Sequence, residues 1–388
     1  MKTVLSVVGI RPFRIGGQEV FIRELSSQLG ARGWKSVACF AGDPTDVVRE
    51  YLSLPNVTLA VIEAPEKPRW HNLKRFVDLV RAHRPQVVHL HYTGFLSPYP
   101  WLAWLFGTRQ VIFTDHSSRP EGYLPHRALW WKRMLARMIN FKLSAVTCVS
   151  DYGYRCLTAL DLLPAPRFTM IYNSVDLNRV VRDPLSATNS SFREKYAIAA
   201  SNIIVAQISW IIPEKGIVDL IRAARLVVMQ DPNVHFVFVG EGAFRKEYSK
   251  LAEEIGIASH VTWTGTLEDP FAAGVYVAAD IICQVSRWEE VFGYVIAEGM
   301  ASYKPLIGTN VGGIPELVRN EENGFLVERG DSAQIAQRIL TLASDEKLRQ
   351  EMGKAGRKIA EANFDLKRNI ALLIDLYEIE RGAIGTGK

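Results

Sequence analysis

The stretch IIVAQISWIIPEKGIVDLIRAARLVVMQDPNVHFVFV, residues 203–239, decides the fold. It opens on Ile203 to Ile208, rich in β-branched residues, and turns through Pro213-Glu214-Lys215-Gly216. A helical pattern begins near Lys215, and a second apolar run, Val234 to Val239, closes the stretch. Strand, helix and strand joined by short turns make a β-α-β unit with parallel strands. Both strands are apolar at successive positions, which suits a sheet covered by helices on both faces.

The same alternation continues in both directions. Strand candidates His260 to Trp263, Asp280 to Val285 and Pro305 to Gly308 follow, with helices beginning near Phe244, Phe292 and Ser332. Upstream lie Thr3 to Val8, Ser36 to Phe40, Val57 to Ile62, Gln86 to His91, Gln110 to Thr114 and Ala145 to Val149. Right-handed connections turn each series into a doubly wound layer. Between them RDPLSATNSSFREKYAIAAS, residues 182–201, breaks the pattern with Pro184 and a Ser/Thr/Asn cluster. The expected organisation is therefore two α/β domains, 1–182 and 200–364, joined by a linker of about 183–199. From Asp331 the chain reads as helical, with a break at Asn363-Phe364-Asp365 before a last helix in 365–388. Open α/β sheets bind ligands beyond the carboxyl ends of their strands, so two facing domains would place the site in a cleft.

Composition removes several classes. Of 388 residues 48% are hydrophobic and 22% charged, the balance of an ordinary globular chain. A formal charge of +5 is too thinly spread for nucleic-acid binding. Cys39, Cys148, Cys156 and Cys283 share no C-x-x-C spacing and read as buried free thiols in a reducing compartment. MKTVLSVVGI is followed by Arg11-Pro12-Phe13-Arg14 and reads as a first buried strand, not a signal peptide. The longest apolar stretch, Phe95 to Phe106, falls short of the roughly 20 residues a spanning helix needs. The expected location is cytoplasmic, with any membrane role peripheral.

The most specific constellation is Glu290-Val-Phe292-Gly293-Tyr-Val-Ile-Ala-Glu298, two glutamates with seven residues between them at a strand-helix junction. A loop carboxylate at Glu290 can accept from sugar hydroxyls, and the Phe292 and Gly293 amides open a helix end suited to phosphate. Glu298 lies inside that helix, where a ribose diol would satisfy its charge; a capping carboxylate and an exposed helix glutamate are the alternative. Lys215 precedes a helix start where a phosphate could rest, or it is merely solvated. Gly16-Gly17 after the first strand allows close approach of a diphosphate, or makes an ordinary tight turn. The dinucleotide fingerprint is absent there, and its nearest approach, Gly240-Glu-Gly242-Ala-Phe-Arg245, has an arginine at the third glycine position. His116 and His91 sit at strand ends and could face a site, whereas His89 reads as pointing into the sheet. No D-x-D, P-loop or G-x-S-x-G occurs, so no metal or other cofactor is required.

Gly94 to Lys142 interleaves tryptophans with basic residues. From Arg119 to Lys142 there are six Lys/Arg, among them Lys132, Arg133 and Arg137, against the single acid Glu121. Such a segment suits a lipid headgroup surface or a lipid-linked acceptor, the alternative being a helix with Trp130 in the core.

Taken together, Gly16-Gly17, the His116 loop, Tyr172-Asn173-Ser174-Val175-Asp176, Pro-Glu-Lys215-Gly216, Val239-Gly240-Glu-Gly242, E-x7-E and Gly312-Gly313-Ile-Pro-Glu316 resemble the retaining GT-B glycosyltransferases of family 4 across essentially the whole chain. The resemblance implies two Rossmann-like domains facing across a cleft, with the C-terminal helix crossing back to the first. It further implies metal-independent transfer of a sugar from a nucleotide-diphosphate sugar, with retention, to a glycan, lipid-linked or small-molecule acceptor, as in cell-envelope or exopolysaccharide synthesis. On it, Glu290 holds the donor sugar, Phe292 and Gly293 its hydroxyls or phosphate, and Glu298 the ribose. Lys215 and Gly17 bind the diphosphate, the loop at Gly240 approaches the nucleotide, and His116 lies near the transferred sugar. One departure stands out: relatives commonly carry arginine where this chain has Trp210, so either Arg287, Arg11 or Arg14 substitutes or the donor preference differs. A nucleotide-sugar epimerase of the same architecture and a non-catalytic scaffold remain as alternatives.

Overall fold

A computed structural model describes residues 1–67, 69–179 and 188–379. The chain divides into two compact units, Met1–Ser117 with Leu124–Asn173 and Leu366–Lys388, and Ser118–Tyr123 with Ser174–Asp365.

The first unit is built on seven parallel strands: β1 Thr3–Val8, β2 Lys35–Phe40, β3 Val57–Val61, β4 Val87–His91, β5 Gln110–Asp115, β6 Ala145–Cys148 and β7 Phe168–Met170. Their order, β3-β2-β1-β4-β5-β6-β7, reverses direction at β1, as in a doubly wound Rossmann-like layer. Period-two alternation along β1 sends Val4 and Val8 to one face and Leu5 and Val7 to the other. On the first face they meet Ile22, Leu25 and Leu29 of helix Gly17–Ala31 and Leu373 and Tyr377 of helix Leu366–Glu378. On the second they meet Phe76, Val80 and Tyr99. Register pairs Val8 with His91 and His91 with Thr114, which lines up the carboxyl ends of β1, β4 and β5.

The second unit has six parallel strands: β8 Ile203–Ile208, β9 Val234–Val239, β10 Val261–Gly265, β11 Ile281–Gln284, β12 Leu306–Thr309 and β13 Gly324–Val327. Their order, β10-β9-β8-β11-β12-β13, again reverses at the first strand of the set. One face packs Ile217, Leu220, Ile221 and Ala224 of helix Ile217–Val228 against Val205, Phe236 and Ile281.

Two strands escaped the sequence reading, β7 and β13. Both are edge strands of three and four residues, too short to show a period. The last helix, Leu366–Glu378, belongs to the first unit; residues 380–388, which the sequence reading had joined to it, lie outside the described part. Of the segment expected as a linker, 183–187 also lie outside it, but Thr188–Lys195 is helical and Phe192 is buried, so this stretch is packed rather than open. The chain instead enters the second unit at Ser174 and leaves it at Asp365, where Val175 N–H donates to Phe364 O at 3.0 Å. All four cysteines are free and buried.

Candidate functional site

In the second unit the turn after β8 brings in Lys215. Ser209 and Ile211 hold their amides to Val239 O and Glu241 O, and Gly216 follows at φ +66. A Cβ on Gly216 would lie 1.8 Å from Val285 O, so only glycine lets the turn rest on the end of β11. That contact aims Lys215 at the E-x7-E loop. Its Nζ lies 2.6 Å from Glu290 Oε1, which also accepts from Ser286 Oγ at 2.6 Å, while Ser118 Oγ donates to Oε2 at 3.2 Å. Burial alone would raise the Glu290 carboxyl, but the Lys215 ammonium and the hydrogen bonds outweigh it and hold it below the usual carboxylate range. Glu290 is a buried, ionised carboxylate.

The Gly312-Gly313 motif fixes the backbone of that loop. Gly313 N–H donates to Glu290 O at 2.7 Å, and a Cβ on Gly312, at φ +55, would fall 2.1 Å from the same oxygen. The helix expected near Phe292 begins at Tyr294, with Gly293 as its N-cap. Phe292 is buried, its ring 5.5 Å from that of Phe364, so its side chain anchors the loop. Glu298 is half-buried and accepts from the Tyr276 hydroxyl, a protein partner where the sequence suggested a ligand. Gly240 directly follows β9 and donates to Gly265 O at 2.9 Å.

Three expectations need correction. Arg287 is not a loose guanidinium: its Nε and Nη2 donate to the buried Asp219 carboxylate at 2.7 and 2.6 Å. Arg119 is assigned to the second unit, apart from Lys132, Arg133 and Arg137, because it exchanges two 2.9 Å backbone hydrogen bonds with Glu289. The positive surplus is also partly spent, since Arg127, Arg133 and Arg137 all pair with Asp161, at 2.8, 2.6 and 2.9 Å.

Glu289 itself was missed. Its buried carboxylate accepts from Gly312 N at 2.8 Å, from Gly122 N at 3.1 Å and from Arg329. Partners so far apart in sequence leave no local signal except the acidic doublet.

In the first unit Gly16 caps helix Gly17–Ala31, and Glu19 reaches back to accept from Gly16 N–H at 3.0 Å. The helix start therefore already faces a carboxylate, which burial pushes up despite the backbone hydrogen bonds and Arg14. His116 follows β5. Its Nε2 lies 3.1 Å from His91 Nδ1, and its ring stacks on Tyr92 at 4.5 Å. Desolvation lowers His116 to about 3, so the ring is neutral. His89 does point inward, bonding Tyr377 OH and Thr114 Oγ1 at 2.6 Å each. Among the described residues no group of three or more His, Cys, Asp or Glu could hold a metal ion.

Helix Trp130–Ile139 buries only Ala136. Trp130 is 69% exposed and Trp131 48%, so the core role considered for Trp130 does not hold. Met134, Met138 and Phe141 are exposed as well, and Trp101 of helix Tyr99–Leu105 joins them by donating to Met138 O at 3.1 Å. Among the described residues no helix is long and apolar enough to cross a membrane.

Comparison with known proteins agrees with this arrangement. Residues 15–179 match Glycosyltransferase Family 4 and residues 189–359 match Glycosyl transferases group 1, most of the chain between them. EpsD of Bacillus subtilis (strain 168) is 35% identical over 189 residues, 48% of each chain, so this match spans about half of either protein. The GDP-mannose-dependent alpha-(1-6)-phosphatidylinositol monomannoside mannosyltransferase of Mycobacterium tuberculosis (strain CDC 1551 / Oshkosh) is 25% identical, covering 97% of this chain and 98% of its own. The crystal structure of Anabaena HepE in complex with UDP and glucose superposes with a TM-score of 0.77 at 20% identity, over 97% of this chain and 99% of that one. Two doubly wound units that carry these matches in this order make the chain a member of the group 1, family 4 glycosyltransferases, with the GT-B fold.

Proposed function

We propose that this protein transfers a sugar, with retention of configuration, from a nucleotide-diphosphate sugar to a glycan, lipid-linked or small-molecule acceptor in cell-envelope or exopolysaccharide synthesis. The observation that carries the reading is the buried Lys215–Glu290 pair at the loop opening helix Tyr294–Ala301. A carboxylate kept ionised at that depth is built to accept hydrogen bonds, and the sugar hydroxyls of a donor are its fitting partners. Glu298 would take the ribose, exchanging or sharing its Tyr276 contact. The Gly293 amide, the loop at Gly240 and the Gly16-Gly17 turn would approach the nucleotide diphosphate. In the transfer the bond from the anomeric carbon to the diphosphate oxygen breaks, and its electron pair goes to the diphosphate. The acceptor oxygen bonds to that carbon from the same face, and its proton passes to the departing diphosphate. Lys215 and helix-start amides would meet the growing charge in place of a metal. His116, neutral and at the carboxyl edge of its sheet, would touch the transferred sugar. The exposed tryptophans of helix Trp130–Ile139, beside Lys132, would rest on the cytoplasmic membrane face near a lipid-linked acceptor.

UDP-glucose, UDP-N-acetylglucosamine and GDP-mannose, each incubated with and without EDTA, test this. Release of nucleoside diphosphate from one of them is expected, insensitive to EDTA and abolished in Glu290→Gln. A product of inverted configuration, or turnover restored only by magnesium or manganese, would overturn the mechanism.

A further inference from the structure

Three side chains donate to the Glu290 carboxylate, and they are not held alike. Oε1 accepts from Lys215 Nζ and from Ser286 Oγ, each at 2.6 Å. Both donors are fastened from behind: Thr309 Oγ1 donates to Ser286 O at 2.7 Å, and Gln207 Nε2 donates to Lys215 O at 2.7 Å. Oε2 accepts from Ser118 Oγ at 3.2 Å, the longest of the three contacts.

Ser118 opens a short strap, Ser118–Tyr123, that is assigned to the second unit together with Glu289 and Glu290. Few bonds lay it on the E-x7-E loop. Arg119 and Glu289 exchange backbone hydrogen bonds as an isolated antiparallel pair, and Gly122 N–H donates to Glu289 Oε1 at 3.1 Å. Glu121, 59% exposed, approaches Arg329 at 3.6 Å, an ion pair of little worth in water. Pro120, Glu121 and Gly122 make an exposed turn, which Tyr123 N–H closes on Pro120 O at 3.1 Å with Gly122 at φ +71. A Cβ on Gly122 would meet nothing within 4 Å, so the turn is open on that side. A segment tied so sparsely opens at less cost than the buried strands behind it.

A serine hydroxyl and a sugar hydroxyl are the same kind of donor toward a carboxylate. An ionised carboxylate this deep needs both oxygens satisfied whether or not a ligand is present. Of its partners, Lys215 and Ser286 are fixed, and Ser118 is the one whose backbone can leave.

We propose that Glu290 Oε2 is the subsite for one hydroxyl of the donor sugar, and that Ser118 holds this place in the free protein until the donor displaces it and lifts the strap. The inference rests on the reading that Glu290 receives the donor sugar. It adds which oxygen does so and a competitor built into the chain. Apparent donor affinity is then reduced by the fraction of molecules whose strap is open.

Amide hydrogen exchange of the whole chain tests this, with UDP, GDP, UDP-glucose, UDP-N-acetylglucosamine and GDP-mannose as probes. A sugar nucleotide that serves as donor is expected to slow exchange at Phe292 and Gly293 and to quicken it at Arg119 and Gly122. UDP and GDP, which lack the sugar, should leave Arg119 and Gly122 as they are. Ser118→Ala, shown folded by its melting transition, should quicken both strap amides without any ligand. It should also lower KM for the donor about three- to tenfold with kcat little changed, and Ser118→Thr should restore the parent values. A raised KM or a reduced kcat in Ser118→Ala would overturn the inference, because the hydroxyl would then assist the donor and not compete with it. If Phe292 and Gly293 respond to a sugar nucleotide while Arg119 and Gly122 do not quicken, the strap inference fails alone. If none of the three sugar nucleotides alters Phe292 and Gly293, the donor reading of Glu290 fails and the subsite with it.

Discussion

Lys215 Nζ sits 2.6 Å from Glu290 Oε1, and both side chains are largely withdrawn from water, 15% and 8% exposed. A pair this enclosed is coupled: each charge is tolerable because of the other. Lys215→Met should therefore cost about 3–5 kcal/mol of stability by stranding the carboxylate. The double variant Lys215→Met/Glu290→Gln should cost less than that single change, while still losing donor use. Urea unfolding of the parent, Lys215→Met, Glu290→Gln and the double variant decides it; additive losses would mean that the two side chains act independently.

The strand-helix alternation was legible because β1, β4, β8 and β9 are buried on both faces, so apolar runs mark them directly. E-x7-E and Lys215 were legible for a similar reason, since each lies at a strand-helix junction where a charged residue stands out. What could not be read was pairing across long separations. Asp219 claims Arg287 from 68 residues away, and Asp161 gathers three arginines of what had looked like a free basic surface. Glu19 was hidden in a helix pattern, yet it occupies the Gly16 amide by reaching back three residues.

Glu289 carries a prediction of its own. By accepting from Gly122, Gly312 and Arg329 it ties three segments together beside Glu290. Glu289→Gln exchanges a charged acceptor for a neutral one and should cost about 1.5–3 kcal/mol. Amide exchange at Gly122 and Gly312 should quicken together. Faster exchange at only one of the two would show that the carboxylate does not join them.

Acid should weaken the first unit before its carboxylates titrate. Burial, with His116 nearby, lowers His89 from 6.5 to about 3, and burial alone lowers His116 to about 3. Between pH 6.5 and about 3 the unfolded chain binds protons that the folded chain refuses, so stability rises with pH there. The contribution is complete above 6.5 and is lost as pH falls, at about 1.4 kcal/mol per pH unit for each histidine. Melting curves at pH 7, 6 and 5 should show that decline, and His89→Gln should make it shallower whatever its own stability. An identical slope in the variant would mean that His89 takes up its proton in the folded state.

The last prediction concerns helix Trp130–Ile139. Because Arg133 and Arg137 pair with Asp161, neutralising them would disturb a surface network as well as any membrane contact. The cleaner probe is the exposed aromatic edge, Trp130 and Trp131, whose side chains make no claim on the core. Removing a large apolar side chain from water contributes about 1.5–3 kcal/mol, so Trp130→Ala/Trp131→Ala should weaken sedimentation with anionic vesicles at least tenfold. Lys132 has its ammonium 5.5 Å from the Trp131 ring. Lys132→Gln should cost about 1 kcal/mol, and only at low salt, where the bilayer potential reaches it. Release of nucleoside diphosphate without acceptor should be spared in both variants, since none of the three residues lies in the unit that carries the Lys215–Glu290 pair. A parent protein that stays in the supernatant with anionic vesicles would show that the exposed tryptophans serve another partner and that the acceptor is met in solution.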